Sequence, residues 1–110
     1  MSLKVSDLLQ PMLAAAKGSF AQDWPAARDY ARTEMDRLAR VLVNISKQVA
    51  EGKANEQQAR ALLNIHRLTT QSVLLTIQGL GIVAVENAIN AALAAAKKAV
   101  NKAAGIALIL

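Results

Sequence analysis

The sequence contains no cysteine and very few aromatic residues, and each shortage excludes a class of protein. Without cysteine, the chain has no disulfide framework, no thiolate zinc site and no thiol nucleophile. Aromatic residues make up only 3% of the chain, so a nucleic-acid site built on stacked aromatic rings has no platform. Charged residues are also scarce, at 19% against about 25% in typical domains.

Apolar residues dominate the composition: they make up 54% of the chain, and alanine alone accounts for 23 residues. An apolar content this high excludes an intrinsically disordered chain. A length of 110 residues corresponds to one domain, which we assign to 1–110. A domain of this size buries only about 60–70% of the surface that its unfolded chain exposes. We therefore expect some of the apolar excess to be covered by another chain or by a lipid surface.

Glycine and proline, which interrupt helices and strands, are sparse, with five and two copies. They stand at Gly18, Gly52, Gly79, Gly81, Gly105, Pro11 and Pro25. The segments between them are long and rich in helix-forming residues, and they show none of the two-residue alternation of a half-buried strand. The sequence therefore predicts an all-α fold.

The first segment predicts a short N-terminal helix within 1–18. It runs from about Leu3 to Lys17, and Gly18 suits the position that follows a helix C-terminus. Pro11 predicts either a kink in this helix or a helix start at that residue.

A second, longer helix is predicted over about 24–51. Asp23 is suited to the N-cap, and Pro25 is tolerated in the first turn. One face carries a row of apolar residues whose spacings alternate between three and four, the pattern of a helix–helix seam. After Trp24, this row consists of Ala31, Met35, Leu38, Leu42, Ile45 and Val49. Asp36 and Arg40, four positions apart, lie opposite this row and predict an exposed, ion-paired face.

The two long helical segments are joined by a short connection. Gly52-Lys53-Ala54 lies between them, and Asn55 is followed three positions later by Gln58, the pattern of a capping box at a helix start. Helices joined by so few residues pack side by side in opposite directions. The sequence therefore predicts an antiparallel helical hairpin over 23–110, with the short N-terminal helix beside it.

The final segment, from 56 to 104, has two interpretations. Its first half carries a polar stripe that consists of Arg60, Asn64, Arg67, Gln71 and Gln78. A second polar stripe begins at Glu86, and on one straight helix the two stripes differ in direction by about 140°. Either a turn at 79–81 separates two helices, or one kinked helix exposes different faces at its ends. We favour the continuous helix, because no Ser, Thr, Asp or Asn is present near residue 81 to cap a new start.

A continuous helix over 56–104 would be about 75 Å long, and a shorter partner helix cannot cover that length. We therefore expect the bundle to be completed by oligomerisation, as a homodimer or a higher oligomer. Six apolar side chains of the C-terminal half are candidates for the surface that faces the second chain or a lipid. They are Leu74, Ile77, Leu80, Val83, Leu93 and Ile106.

A membrane-facing alternative rests on two uncharged stretches, 68–85 and 103–110. The first has 18 residues, the lower limit for a transmembrane helix, but six Thr, Ser and Gln side chains favour a helix buried within protein. In the alternative, residues 74–85 and 103–110 enter a membrane interface, and a basic patch lies at the lipid headgroups. The patch consists of Lys97, Lys98 and Lys102. Because no aromatic residues accompany it, we do not expect a nucleic-acid partner despite the net charge of +5.

Residues suited to catalysis or metal binding are few. His66 falls within the apolar arc of its helix, and Glu34 lies on the apolar side of the second helix. We interpret His66 as a core histidine and expect Glu34 to pair with Arg37 or Tyr30. In the hairpin, His66 and Glu34 are about seven residues out of register, roughly 10 Å, so they meet only across a dimer. No Glu-x-x-His pair, phosphate-binding loop, dinucleotide fingerprint or nucleophile elbow occurs in the sequence.

The sequence therefore favours a non-enzymatic helical-bundle protein that works through association, as a scaffold, adaptor or accessory subunit, with no cofactor or metal. Its expected partners are a second copy of the chain and a further protein, and its expected location is the cytoplasm, free or at the membrane periphery. One alternative is a membrane-active or interface-binding protein. A second is a bundle that binds a small ligand or a metal at His66 and Glu34.

Overall fold

The computed structural model describes residues 3–110. Within that range, four α-helices follow one another: α1 (Val5–Phe20), α2 (Trp24–Ala50), α3 (Glu56–Leu74) and α4 (Ile82–Ala104). A 3₁₀ turn, Ala21–Asp23, links α1 to α2. The all-α fold is confirmed. The first two residues of the predicted N-terminal unit lie outside the described residues.

Helix α1 is longer than the sequence predicts, because it does not end at Gly18 but continues to Phe20. Its buried face consists of Leu8, Met12, Ala16 and Phe20, each four residues from the next. Because Phe20 belongs to this face, the helix has to pass through Gly18 to bury the aromatic ring. Pro11 lies inside the helix and does not mark its start. The positive φ that ends this helix occurs at Ala21, at +51°.

The predicted boundary between the second and third helices is confirmed to within one residue, since α2 ends at Ala50 and α3 begins at Glu56. Asn55 Oδ1 accepts a hydrogen bond from the Gln58 backbone N–H at 2.8 Å. Gln58 Oε1 accepts one from the Asn55 N–H at 3.0 Å, so the predicted capping box is present. Asp23 precedes α2 as expected, but its side chain makes no capping hydrogen bond.

The continuous helix favoured over 56–104 does not form, because α3 ends at Leu74 and α4 begins at Ile82. The N–H groups of Thr76, Ile77 and Leu80 donate to carbonyls three residues earlier at 3.1–3.2 Å. Gly81, which precedes α4, provides no side-chain capping hydrogen bond. Gly79 supplies the left-handed backbone, with φ at +92°. The two polar stripes differ in direction because they belong to two separate helices.

Helices α1, α2 and α4 contact one another and enclose the core, whereas α3 packs on α2 and has a smaller contact with α4. Helix α4 makes its most extensive contact with α1, and its buried face includes the small side chains Ala88, Ala92 and Ala96. These alanines permit the close helix approach expected of small residues. Helix α3 is therefore the helix with the least cover from its neighbours.

The six apolar side chains expected to face a second chain or a lipid are mostly covered by the chain's own helices. Leu74, Ile77 and Leu93 lie in the core, and Leu80 and Ile106 pack at its edge. Of the six, Val83 is exposed. The break before α4 explains the difference, because it folds the C-terminal half back on the same chain. Between residues 3 and 110, no helix has both the length and the apolar character that crossing a bilayer requires.

Candidate interaction surface

Helix α3 is apolar on two opposite faces. Its buried inner face consists of Ala59, Leu63, Thr70 and Leu74. Ala61, Ile65 and Ser72 follow three of these residues by two positions, which corresponds to a rotation of about 200° around the helix. These three residues therefore point away from the core, and the side of α3 that is opposite α2 is also apolar.

The outward row, which we call the outer stripe, consists of Ala61, Ile65, Leu68, Ser72 and Leu75, with Leu62 at its edge. The four large side chains of the stripe each expose between 37% and 57% of their surface. The five residues from Ala61 to Leu75 have spacings of four, three, four and three, which are those of a helix–helix seam. A single exposed leucine is ordinary, but a contiguous apolar row on one helix is typical of an interaction surface.

The polar stripe of α3 faces α4 and the C-terminal tail (residues 105–110). Arg60 donates two hydrogen bonds to the Ala107 carbonyl, at 2.9 and 3.1 Å. Arg67 Nη1 lies 3.4 Å from Asn90 Oδ1 on α4. Both arginines and Gln71 are half-buried. The polar side of this helix is therefore turned towards its neighbours, and the solvent-facing side is the apolar one.

A shallow depression lies at the N-terminal end of the outer stripe. It has a volume of about 380 Å³ and is lined by Gln48, Lys53, Ala54, Gln58, Ala61, Leu62 and Ile65. The four residues that α3 contributes stand at positions i, i+3, i+4 and i+7. This is the set of four residues that surrounds one inserted side chain when two helices pack as a coiled coil.

The outer stripe carries no charged side chain, and its one polar residue, Ser72, is uncharged. Two charges near its N-terminal end are paired elsewhere: Arg60 with Glu56 on α3, and Lys53 with Glu51 in the connection before it. Arg67 lies on the polar side of α3, away from the stripe. Covering the stripe therefore removes no unpaired charge from water, which avoids the large desolvation penalty of buried ions.

The two polar residues expected in the core differ in their burial. Glu34 is buried, at 6% exposure, and its carboxylate accepts a hydrogen bond from the Arg37 guanidinium one turn along α2. His66 is half-buried on α3. In the part of the chain that the structure describes, no three His, Asp or Glu side chains gather in a group that could hold a metal ion.

The basic patch, Lys97, Lys98 and Lys102, is exposed on α4. The side of α4 that carries these lysines also exposes Glu86, Asn87 and Asn90 nearer its start. This side of α4 carries polar and charged side chains from Glu86 to Lys102, with the exposed Val83 at its start, and the outer stripe on α3 is a separate surface.

The comparisons with protein-family models, curated proteins and solved structures find no match for this chain. The function is therefore inferred from the surface of the molecule.

Sequence reasoning missed the outer stripe, although its signal is present. The alternating spacing from Ala61 to Leu75 can be read directly from the sequence. A continuous helix over 56–104 does not predict which side of this segment faces solvent. The exposed row becomes evident only once α3 ends at Leu74 and α4 returns along its polar side.

Proposed function

We propose that this chain is a non-enzymatic helical-bundle interaction protein, a scaffold, adaptor or accessory subunit, that works as a homo-oligomer joined through the outer stripe of α3. The observation that carries the proposal is the row of large apolar side chains on the solvent side of a helix whose opposite side is already buried. A helix that is apolar on both sides is normally covered on both sides. Full burial of an exposed leucine or isoleucine is worth about 1.5–3 kcal/mol, and covering the exposed part of each of these side chains supplies roughly half of that.

A second copy of the chain fits this surface because the stripe is complementary to itself. When two α3 helices lie antiparallel with Ile65 opposite Leu68 of the other copy, Ala61 lies opposite Ser72. In the same register, Leu75 of the second copy lies opposite Gln58, where the depression lined by Gln58, Ala61, Leu62 and Ile65 is open. Each copy would thus insert its Leu75 into the depression of the other copy. The two-fold symmetry of the interface makes this contact occur twice.

The charge distribution favours a protein partner over an anionic membrane. Binding to anionic lipid depends on Lys or Arg beside the apolar residues that enter the interface. The basic patch lies on α4, and the outer stripe on α3 carries no charge.

The α3 helix of 19 residues is about 28 Å long, enough for a seam of four layers of side chains.

Sedimentation velocity at micromolar concentration tests the proposal. We expect a dimer for the native chain and a monomer for Leu68→Glu, whose circular dichroism should be unchanged because residue 68 is exposed. Val83→Glu is the matched control, since Val83 is also an exposed aliphatic residue but lies at the start of α4, and it should remain dimeric. A native chain that sediments as a monomer would overturn the proposal. Dissociation by Val83→Glu would place the interface on α4 instead, and flotation with liposomes would favour a membrane role.

A further inference from the structure

A cleft separates α3 from α4, and the C-terminal tail closes one end of it. Gly105, with φ at +74°, turns the chain back after α4. Leu108 and Ile109 are then buried against the helices. Asn101 on α4 donates through Nδ2 to the Ile109 carbonyl at 2.9 Å and accepts from the Ile109 N–H at 2.8 Å. With Arg60 bound to Ala107, the tail is a fixed wall of the cleft.

Beside this wall lies a cavity of about 330 Å³. Its apolar lining consists of four buried side chains from α3, α4 and the tail, and of the exposed Leu110; the buried ones are Leu63, Leu93, Leu108 and Ile109. Its polar lining consists of Arg60, Asn64, Arg67 and Asn90. A cavity with an apolar lining and a few convergent polar groups is the usual form of a small-molecule site, and this volume lies near the lower end of the range of about 300–1,000 Å³.

Arg67 is the unusual group in this cavity. The other half-buried arginine there, Arg60, has a carboxylate partner in Glu56. Arg67 has none within 4 Å among residues 3–110, and its hydrogen bond to Asn90 is long, at 3.4 Å. Glu86 lines a smaller adjoining cavity of about 90 Å³, together with Arg67, but forms no ion pair with it. A half-buried guanidinium without a counter-ion favours an external anion.

We propose that this cavity binds a small amphipathic carboxylate. The planar guanidinium of Arg67 would hold the carboxylate through two parallel hydrogen bonds, and the side-chain amides of Asn64 and Asn90 stand beside it as further donors. The apolar body of the ligand would lie against Leu63, Leu93 and the tail. This site is on a different side of α3 from the outer stripe, so it does not depend on the proposed oligomer.

Titration calorimetry of the full chain with octanoate tests the site, with octanamide as the neutral analogue of equal length. We expect octanoate to bind and octanamide to bind at least about tenfold more weakly, because it lacks the charge that pairs with Arg67. Arg67→Gln should lower the affinity for octanoate by a similar factor. Arg32→Gln is the matched control, since Arg32 is an exposed arginine on α2 outside this cavity, and it should leave binding unchanged.

Three further variants test the site without Arg67→Gln, in case that substitution disturbs folding. Asn64→Leu replaces an exposed residue at the mouth of the cavity and should weaken octanoate binding with an unchanged melting temperature. Glu86→Gln removes the negative charge that lines the adjoining cavity with Arg67, and it should not lower the affinity. Leu68→Glu should retain binding, which separates this site from the outer stripe. Equal affinities for octanoate and octanamide, an unaffected Arg67→Gln, or no heat of binding at millimolar octanoate would each overturn the proposal.

Discussion

Asn101 holds Ile109 by both of its backbone groups, through hydrogen bonds of 2.8 and 2.9 Å to the N–H and the carbonyl. The side chain of one helix residue thereby acts as a strand partner for the tail. This pairing satisfies a backbone segment whose side chains are buried but which belongs to no helix or sheet.

Asn101→Ala should therefore destabilise the fold by about 1–3 kcal/mol, because it leaves two partly buried backbone groups unpaired. Urea unfolding measures the change, and hydrogen exchange should show loss of protection at the Ile109 amide. Asn87→Ala is the control, since Asn87 is exposed on the same helix and should have a much smaller effect. Equal effects of the two substitutions would show that the tail is not anchored by Asn101.

Gly18→Ala should stabilise the protein by about 0.5–1 kcal/mol, since Gly18 lies in the interior of α1 and alanine is the better helix former. An added Cβ meets no atom within 4 Å. Thermal unfolding monitored by circular dichroism checks the gain. The substitution also tests the helix boundary: if Gly18 were the left-handed residue that ends α1, alanine there would be destabilising.

Arg37→Met should destabilise the fold by about 1–2 kcal/mol, because it leaves the buried Glu34 carboxylate without its partner. Arg40→Met is the matched control: Arg40 pairs with Asp36 at 2.9 Å on the same helix, but both side chains are in contact with solvent. The hydrogen bond and the charge of Asp36 raise the pKa of Arg40, yet an exposed pair of this kind contributes little to folding. The double variant Glu34→Leu/Arg37→Met should recover most of the loss. A control as damaging as Arg37→Met would contradict this account.

Ser46→Ala should leave the stability unchanged or raise it by up to about 1 kcal/mol, because a buried hydroxyl without a partner opposes folding. Ser46 Oγ is buried and forms no hydrogen bond with the described residues. Ser19→Ala is the comparison, since the Ser19 hydroxyl donates to the Asn87 carbonyl at 3.5 Å. Denaturant unfolding should rank Ser46→Ala as the more stable variant, and the reverse order would indicate a partner for Ser46.

The absence of cysteine makes the proposed oligomer register directly testable. In the antiparallel register, Ala61 of one copy lies opposite Ser72 of the other, and both residues are small. Mixing Ala61→Cys with Ser72→Cys under mild oxidation should give a mixed disulfide dimer faster than either variant alone gives a homodimer. Fast homodimer formation by one variant would indicate a different register, with the dimer itself intact.

Local signals determined which parts of the fold could be predicted. The reciprocal bonds of Asn55 and Gln58 are an N-cap pattern within four residues, and they correctly located the start of α3. The end of α3 has no such pattern, because the N–H groups of Thr76 and Ile77 donate to backbone carbonyls three residues earlier and not to a side chain. The change in direction of the polar stripe was the available signal, but it fits both a turn at 79–81 and a kinked helix. The lack of a capping residue near 81 then wrongly favoured the continuous helix.

The orientation of α3 could not be predicted from its own sequence. Two apolar sides and one polar side allow several orientations, and the contacts of Arg60 with Ala107 and of Arg67 with Asn90 select one of them. Those partners are 47 and 23 residues away along the chain. The placement of the polar stripe beside the cavity, and of the apolar row in solvent, is therefore a consequence of long-range packing.

The limited cover of α3 also sets the order in which the fold opens. This helix is held by α2 along one side and by the tail near its start, whereas α1, α2 and α4 contact one another directly. Partial opening of such a structure releases its least-held segment first. Helix α3 and the tail should therefore detach together as one subglobal unit, and association through the outer stripe would slow that detachment. The surface that joins two copies would then also keep each copy closed.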